Sequence, residues 1–136
     1  MEMKIEFPGG AKIAAQYKGF TIATDQPERA GGSNSAPAPF DYFLASIGTC
    51  AGYYVARFIE QRGLRAEGLA LTLSTTKDRE RGLVSKVTLQ LELPVGFPSK
   101  YEKAIVRAID QCTVKRNILD PPEFETRVTA AAGSVR

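Results

Sequence analysis

Polar and apolar positions alternate from the first residues. Met3, Ile5 and Phe7 are separated by Lys4 and Glu6, the period of two that marks a half-buried strand, and Pro8-Gly9-Gly10 interrupts it. Segments 11–17 and 20–23 read as a hairpin turning at Lys18-Gly19. From Thr24 to Pro39 the chain is dominated by Gly, Ser, Asn, Ala and Pro, which predicts a connection of the length that binds or gates something. Phe40 to Arg62 then predicts a helix, with Asp41 as a cap, Gly63 as its stop, and Arg57 and Arg62 suited to the C-terminal end of its dipole. Tyr42 to Ala56 carries no charge on any face, the pattern of a helix buried all round. One chain of this size has little cover for such a helix, so the pattern predicts a homodimer that wraps it.

Leu69, Leu71 and Leu73 alternate with small or polar residues, as do Val87, Leu89, Leu91 and Leu93; the charged turn from Lys77 to Gly82 joins them into an antiparallel hairpin. Ser99-Lys100-Tyr101-Glu102 has the form of a capping box. Tyr101, Ala104, Ile105, Ala108, Ile109 and Cys112 follow at helical spacing, so Cys112 is expected on the apolar stripe of a second helix. A short turn follows with Val114, Ile118 and Leu119, and after Asp120-Pro121-Pro122, Phe124 to Ala130 alternates as a last strand. The order of strands, central helix, hairpin, helix and strand predicts an α+β fold in a single domain over residues 1–136.

Composition narrows the function more than the fold. The chain has 136 residues, 43% apolar and 24% charged, with a net charge of +3. Cations and anions are interleaved, as in Lys77-Asp78-Arg79-Glu80-Arg81, so no block of one sign marks a nucleic-acid surface. The N-terminus has no apolar core of the kind a signal peptide needs, and no apolar run reaches the ~20 residues of a membrane span, so a cytoplasmic protein without membrane contact is expected. There is no histidine. His-based triads are therefore absent, and two cysteines without histidine do not close a tetrahedral zinc site from one chain.

Chemistry then falls to Cys, carboxylates, Tyr, Lys and Arg. Cys50 lies in the uncharged helix and Cys112 on the predicted stripe, so both are expected to face protein interior. Two readings of the residues stay open. Buried cysteines commonly act as small inert hydrophobes. If the two helices pack, the sulfurs could also meet, which needs Cα atoms within roughly 7 Å. Tyr53 and Tyr54 read as packing residues, and Asp41, Arg29, Lys115 and Arg116 equally suit a solvated surface.

The segment from Ala38 through Pro39, Phe40, Asp41, Leu44, Ala45 and Ser46 to Cys50 resembles the P-x-E-L-L-x-A-x-x-x-C signature of the OsmC and organic-hydroperoxide-resistance family. Asp110-Gln111-Cys112-Thr113-Val114 resembles that family's second cysteine site, at similar separation. The resemblance implies an OsmC-like fold, with antiparallel sheets around a buried central helix, and an intertwined homodimer with sites at the subunit interface. It also implies thiol-dependent reduction of organic hydroperoxides or hydrogen peroxide in oxidative-stress defence, with no cofactor. Cys50 would be the peroxidatic thiol and Cys112 the resolving one, closing a disulfide that an external dithiol reopens. The family pairs its reactive thiol with an Arg near the N-terminus and a Glu before the central helix. Here Asp41 stands near the Glu position and no Arg precedes Arg29, which makes Arg29 the expected cation, with Lys115 and Arg116 as second choices. Without a cation, desolvation is expected to raise the pKa of Cys50. The alternatives on the same fold are a redox sensor using the same two thiols and a non-catalytic protein holding a small ligand in a cleft lined by Phe40, Phe43, Tyr53 and Tyr54.

Overall fold

The computed structural model describes residues 1–133. Three strands, β1 (Lys4–Gly9), β2 (Lys12–Tyr17) and β3 (Phe20–Thr24), form an antiparallel meander. Ile5 pairs with Ala15 and Ala15 with Ile22, which aligns the apolar set of all three strands. The β2–β3 turn is the two-residue Lys18-Gly19, with φ of 49° and 80°. Positive φ at both positions matches the right-handed twist of the strands, and the glycine removes half of the steric penalty.

Residues 25–38 are irregular in backbone but ordered around one carboxylate. Asp25 is 1% exposed. Its Oδ2 accepts from the amide and hydroxyl of Ser33 (3.2 and 2.8 Å) and of Ser35 (3.0 and 2.6 Å), and its Oδ1 accepts from Gln26 N at 2.8 Å. The Ser35 hydroxyl and amide, then the Gln26 amide and the Ser33 hydroxyl, hold this carboxyl well below the usual carboxylate range against the opposing effect of burial. The loop is also closed by Asp25 N to Pro37 O at 3.3 Å and Asn34 N to Gln26 O at 3.0 Å. Gly32 sits so close to the Gln26 carbonyl that a Cβ would lie 1.9 Å from its oxygen. The predicted connection is thus a folded loop, and it delivers the chain to the central helix.

That helix, α1 (Pro39–Gln61), starts on Ala38, not Asp41. Asp41 is the third residue in, where its carboxylate accepts from Ala38 N at 2.8 Å. It therefore caps from inside the first turn, where a negative charge also suits the dipole. At the other end Gly63 takes φ +60°, Gly63 N donates to Glu60 O (3.1 Å) and Leu64 N to Ile59 O (3.0 Å). This is the paired C-terminal closure that glycine permits.

The β4 (Ala70–Asp78) and β5 (Leu83–Glu92) hairpin lies against α1, with Leu71 opposite Leu91 and Leu73 opposite Leu89. A 3₁₀ turn at Ser99–Tyr101 leads into α2 (Glu102–Ile109), and α3 (Thr113–Leu119) follows. The expected capping box at Ser99 does not form: the helix is capped by Tyr101, with no side-chain hydrogen bond, because the 3₁₀ turn moves Ser99 out of the capping position. The α+β class is as the alternation predicts. The core joins Ala51, Val55, Phe58 and Ile59 of α1 to Ile105 and Ile109 of α2. Burying side chains such as Val55 and Ile105 stabilises the fold by about 1.5–3 kcal/mol each.

Two expectations change. α1 is buried along one stripe only, Ile47, Ala51, Val55, Phe58 and Ile59, while Tyr53 is 59% exposed. One chain supplies a single layer of cover, so the uncharged opposite face meets solvent. Segment 124–130 is also not a strand: Phe124 and Val128 are 92% and 87% exposed, and the segment joins neither sheet, since alternation alone does not supply ladder hydrogen bonds. Among the described residues no helix is long and apolar enough to cross a membrane.

The Asp25 network gives a direct expectation. Asp25→Asn turns one acceptor oxygen into a donor facing donors, so limited proteolysis should cleave within residues 26–37 far faster than in the parent protein, with helix content retained. Equal cleavage rates would show that the carboxylate does not hold the loop. Since its pKa is depressed, the loop should keep its protection from neutral pH down through the ordinary carboxylate range and lose it only in stronger acid.

Candidate active site

Cys50 lies midway along α1, one residue before the fully buried Ala51, and its side chain is partly exposed. Cys112 is not on α2. That helix ends at Ile109, and the chain turns through Gln111 N to Ala108 O (3.1 Å) and Cys112 N to Ile109 O (3.0 Å). The extended φ and ψ of Cys112, −49° and 115°, break the helical path and make it the N-cap of α3. Its side chain is 1% exposed, and its Sγ accepts from Lys115 N at 3.4 Å. A thiol here fills the place usually held by Ser, Thr or Asp.

The break brings the two cysteines together. Both are free thiols, and they stand close enough for each to shift the acidity of the other. The first amides of α3, those of Thr113 and Val114, are near enough to Cys50 to favour its thiolate. These groups have no acceptor within their own helix, so a sulfur on a neighbouring helix can take them. Burial pushes the Cys50 thiol up, but the hydrogen bonds from Cys112, Val114 and Thr113 together bring it below its ordinary value. For Cys112 burial acts upward, and so does the hydrogen bond to Cys50, which makes it the weaker acid despite the Lys115 amide. The expected rise at Cys50 is thus reversed, because amide donors supply what no cation does.

The remaining predicted residues stand elsewhere. Arg29 is exposed in a 3₁₀ turn at Glu28–Ala30 and is not among the groups acting on either thiol. Asp41 is nine positions before Cys50 on the same helix, about 13 Å along its axis. Lys115 Nζ pairs with Asp110 Oδ1 at 2.5 Å, which directs its charge away from the sulfurs, and Arg116 is exposed on α3. Phe40 stacks with Phe43, and Tyr53 makes an edge contact with Tyr54, each at 5.3 Å between centroids. Ten residues of helix, about 15 Å, separate the two aromatic pairs, so they do not line one cleft. Among the described residues no three or more His, Cys, Asp or Glu side chains come together in a group able to hold a metal ion.

Two features escape a reading of the sequence alone: the Asp25 hub and the amides of Thr113 and Val114. Asp25 is followed by Ser33 and Ser35 within a Gly-rich loop, a spacing that carries a signal once a buried carboxylate is sought. Amide donors leave no signature, since any residue supplies them.

A family model described as OsmC-like protein matches residues 32–127, which include both cysteines, the whole of α1 and the β4–β5 hairpin. Among curated proteins no relative matches. A crystal structure from Psychrobacter arcticus 273-4, described as an osmotic stress induced and detoxification response protein, is similar to this chain with a TM-score of 0.71 and 18% identity, covering 85% of each chain. A second solved structure, described only as structural genomics, has a TM-score of 0.62 and 17% identity over 89% of this chain and 91% of its own. At these identities the two structures speak for the fold. The family match spans well over half of the chain, so this protein belongs to the OsmC-like family.

Proposed function

We propose that the protein is a thiol-dependent peroxidase that acts in the defence against oxidative stress. One observation carries the reading: two free thiols, Cys50 partly exposed and Cys112 buried at the start of α3, come together from separate helices. The thiolate of Cys50 attacks the O–O bond of an organic hydroperoxide or of hydrogen peroxide. The leaving alkoxide or hydroxide takes a proton, and Cys50 becomes a sulfenic acid. The Cys112 thiol then condenses with it, releasing water and forming the S–S bond. An external dithiol reduces that bond by exchange and is itself oxidised to a disulfide, which restores both thiols. Burial of Cys112 and its higher pKa keep it from reacting first, and its nearness to Cys50 supports the resolving role.

The protein works, on this reading, as an intertwined homodimer in the cytoplasm. Phe7 and Phe20 on the meander and Phe124 and Val128 near the C-terminus are 69–92% exposed, an apolar surface that a second copy would cover. The separation of Asp41 and Arg29 from Cys50 in one chain fits a site to which the second copy brings them. The non-catalytic ligand-binding reading loses its cleft, since the aromatic pairs are apart.

Titration of thiols with and without excess cumene hydroperoxide tests the chemistry. Both thiols should disappear together and return with dithiothreitol; persistence of both under excess peroxide would rule the peroxidase out. Cys50→Ser should remove the reaction, whereas Cys112→Ser should still consume peroxide but stop at an oxidised Cys50 with no disulfide.

The electrostatics predict an order of reactivity. The alkylation rate of Cys50 by iodoacetamide should rise with pH through a midpoint below the ordinary 9.0, and that of Cys112 through a midpoint above it. Cys112→Ala should move the Cys50 midpoint upward, because a donor to the thiolate is lost; an unmoved midpoint would contradict the hydrogen-bond account. Sedimentation equilibrium at micromolar concentration should give twice the 14.8 kDa chain mass, and a monomer there would remove the dimer from the reading.

A further inference from the structure

A second concavity lies between the C-terminal half of α1 and the outer face of α2, beginning one helical turn beyond Cys50. It measures about 550 Å³, within the range of small-molecule sites. Phe58, Ala104 and Ala108 give it an apolar floor, and the two alanines, one turn apart on α2, are what leave it open. Tyr53 and Tyr54 close one end. Three guanidinium groups, those of Arg57, Arg62 and Arg107, line it together with the amides of Gln61 and Gln111. No carboxylate does.

The three cations differ in how they are held. Arg62 makes a cation–π contact with Phe58, its guanidinium carbon 3.7 Å from the ring centroid. Arg57 donates to Glu60 at 2.9 Å, a pair with 48% and 71% side-chain exposure that leaves other guanidinium N–H groups available. Arg107 makes no ion pair among the described residues. A favourable contact with the α1 dipole accounts for Arg62 near that helix's end. Arg107 stands in the last turn of α2, where that helix's own dipole favours it, and it lines the same groove. Like charges gathered around an apolar floor repel one another until an anion enters. The planar fork of Arg matches a carboxylate with two parallel hydrogen bonds.

We infer that the groove between α1 and α2 binds a single-headed organic anion, a carboxylate on an apolar body, with the head held by Arg107 and Arg57 and the body laid over Ala104 and Ala108 beside Tyr53 and Tyr54. The site goes beyond the thiol chemistry and uses none of its residues.

The test takes the intact protein and two probes of equal chain length, decanoate and decanol, both below their aggregation limits. The chain has no Trp and five Tyr residues, two of which, Tyr53 and Tyr54, line the groove, so a ligand-induced change in tyrosine emission is not masked by tryptophan. Decanoate should change that emission saturably, with one molecule per chain, and bind at least about tenfold more tightly than decanol, as expected when a charge-assisted pair is gained. Arg107→Ala should weaken decanoate by about tenfold and leave decanol unchanged; Arg107→Lys, which keeps the charge and loses the fork, should fall between. Decanol binding serves as the internal check that a variant is folded. Equal affinity for the two probes, or decanoate binding that ignores Arg107, would overturn the assignment. Neither probe nor Arg107 takes part in thiol oxidation, so the result stands apart from the peroxide experiment.

Discussion

The arrangement depends on the break between α2 and α3. Had the helix continued past Ile109, Cys112 would point along an apolar stripe and the amides of residues 113–115 would be bonded to carbonyls one turn back. Instead Cys112 leaves the helical path, and three amide groups of a new first turn have no acceptor in their own helix. Lys115 N–H goes to the Cys112 sulfur, and the amides of Thr113 and Val114 lower the pKa of Cys50. The same donors that satisfy the backbone also select which thiol is the stronger acid. A structural need and a chemical bias are met by one set of hydrogen bonds.

This explains how a site without histidine and without an adjacent cation can hold a thiol of lowered pKa. Desolvation at Cys50 disfavours the thiolate, and an Arg or Lys is the usual remedy. Neutral amide and thiol donors act at short range and need no counter-charge, so they can operate where burial would make a lone cation expensive. The difference between the two sulfurs then follows from their positions. Cys50 receives donors and is partly open, whereas Cys112 is sealed and shares its proton with its neighbour.

The rest of the chain holds this junction in place. α1 is pinned at its start by the loop closed around Asp25 and at its end by the Gly63 turn, and its middle is pressed on α2 and the β4–β5 hairpin by Ala51, Val55, Phe58 and Ile59. The meander is tied to α1 through the Tyr42 hydroxyl, which donates to Ala23 O at 2.8 Å. Its apolar residues, and those of segment 124–130, remain uncovered in one chain. The fold therefore leaves a share of its large apolar side chains facing solvent.

Much of this was legible in the residues themselves. The period of two in β1, β4 and β5, the turn at Lys18-Gly19 and the stop at Gly63 depend on local sterics and on a buried face, which any single sequence displays. The uncharged stretch of α1 was equally plain, but its burial was not, because that depends on what lies opposite and one chain covers a single stripe. The alternation of Phe124 to Ala130 marks strand potential, yet a strand exists only where an edge accepts it. Helical spacing carried Cys112 onto α2, since periodicity cannot register a change of direction made by one residue's φ and ψ. The cysteines and their separation along the chain were therefore set by the sequence. Their contact, the inequality of their acidities and the convergence of Arg57, Arg62 and Arg107 were decided by tertiary structure, because backbone amides and groups from separate helices acquire a shared direction only when those helices pack.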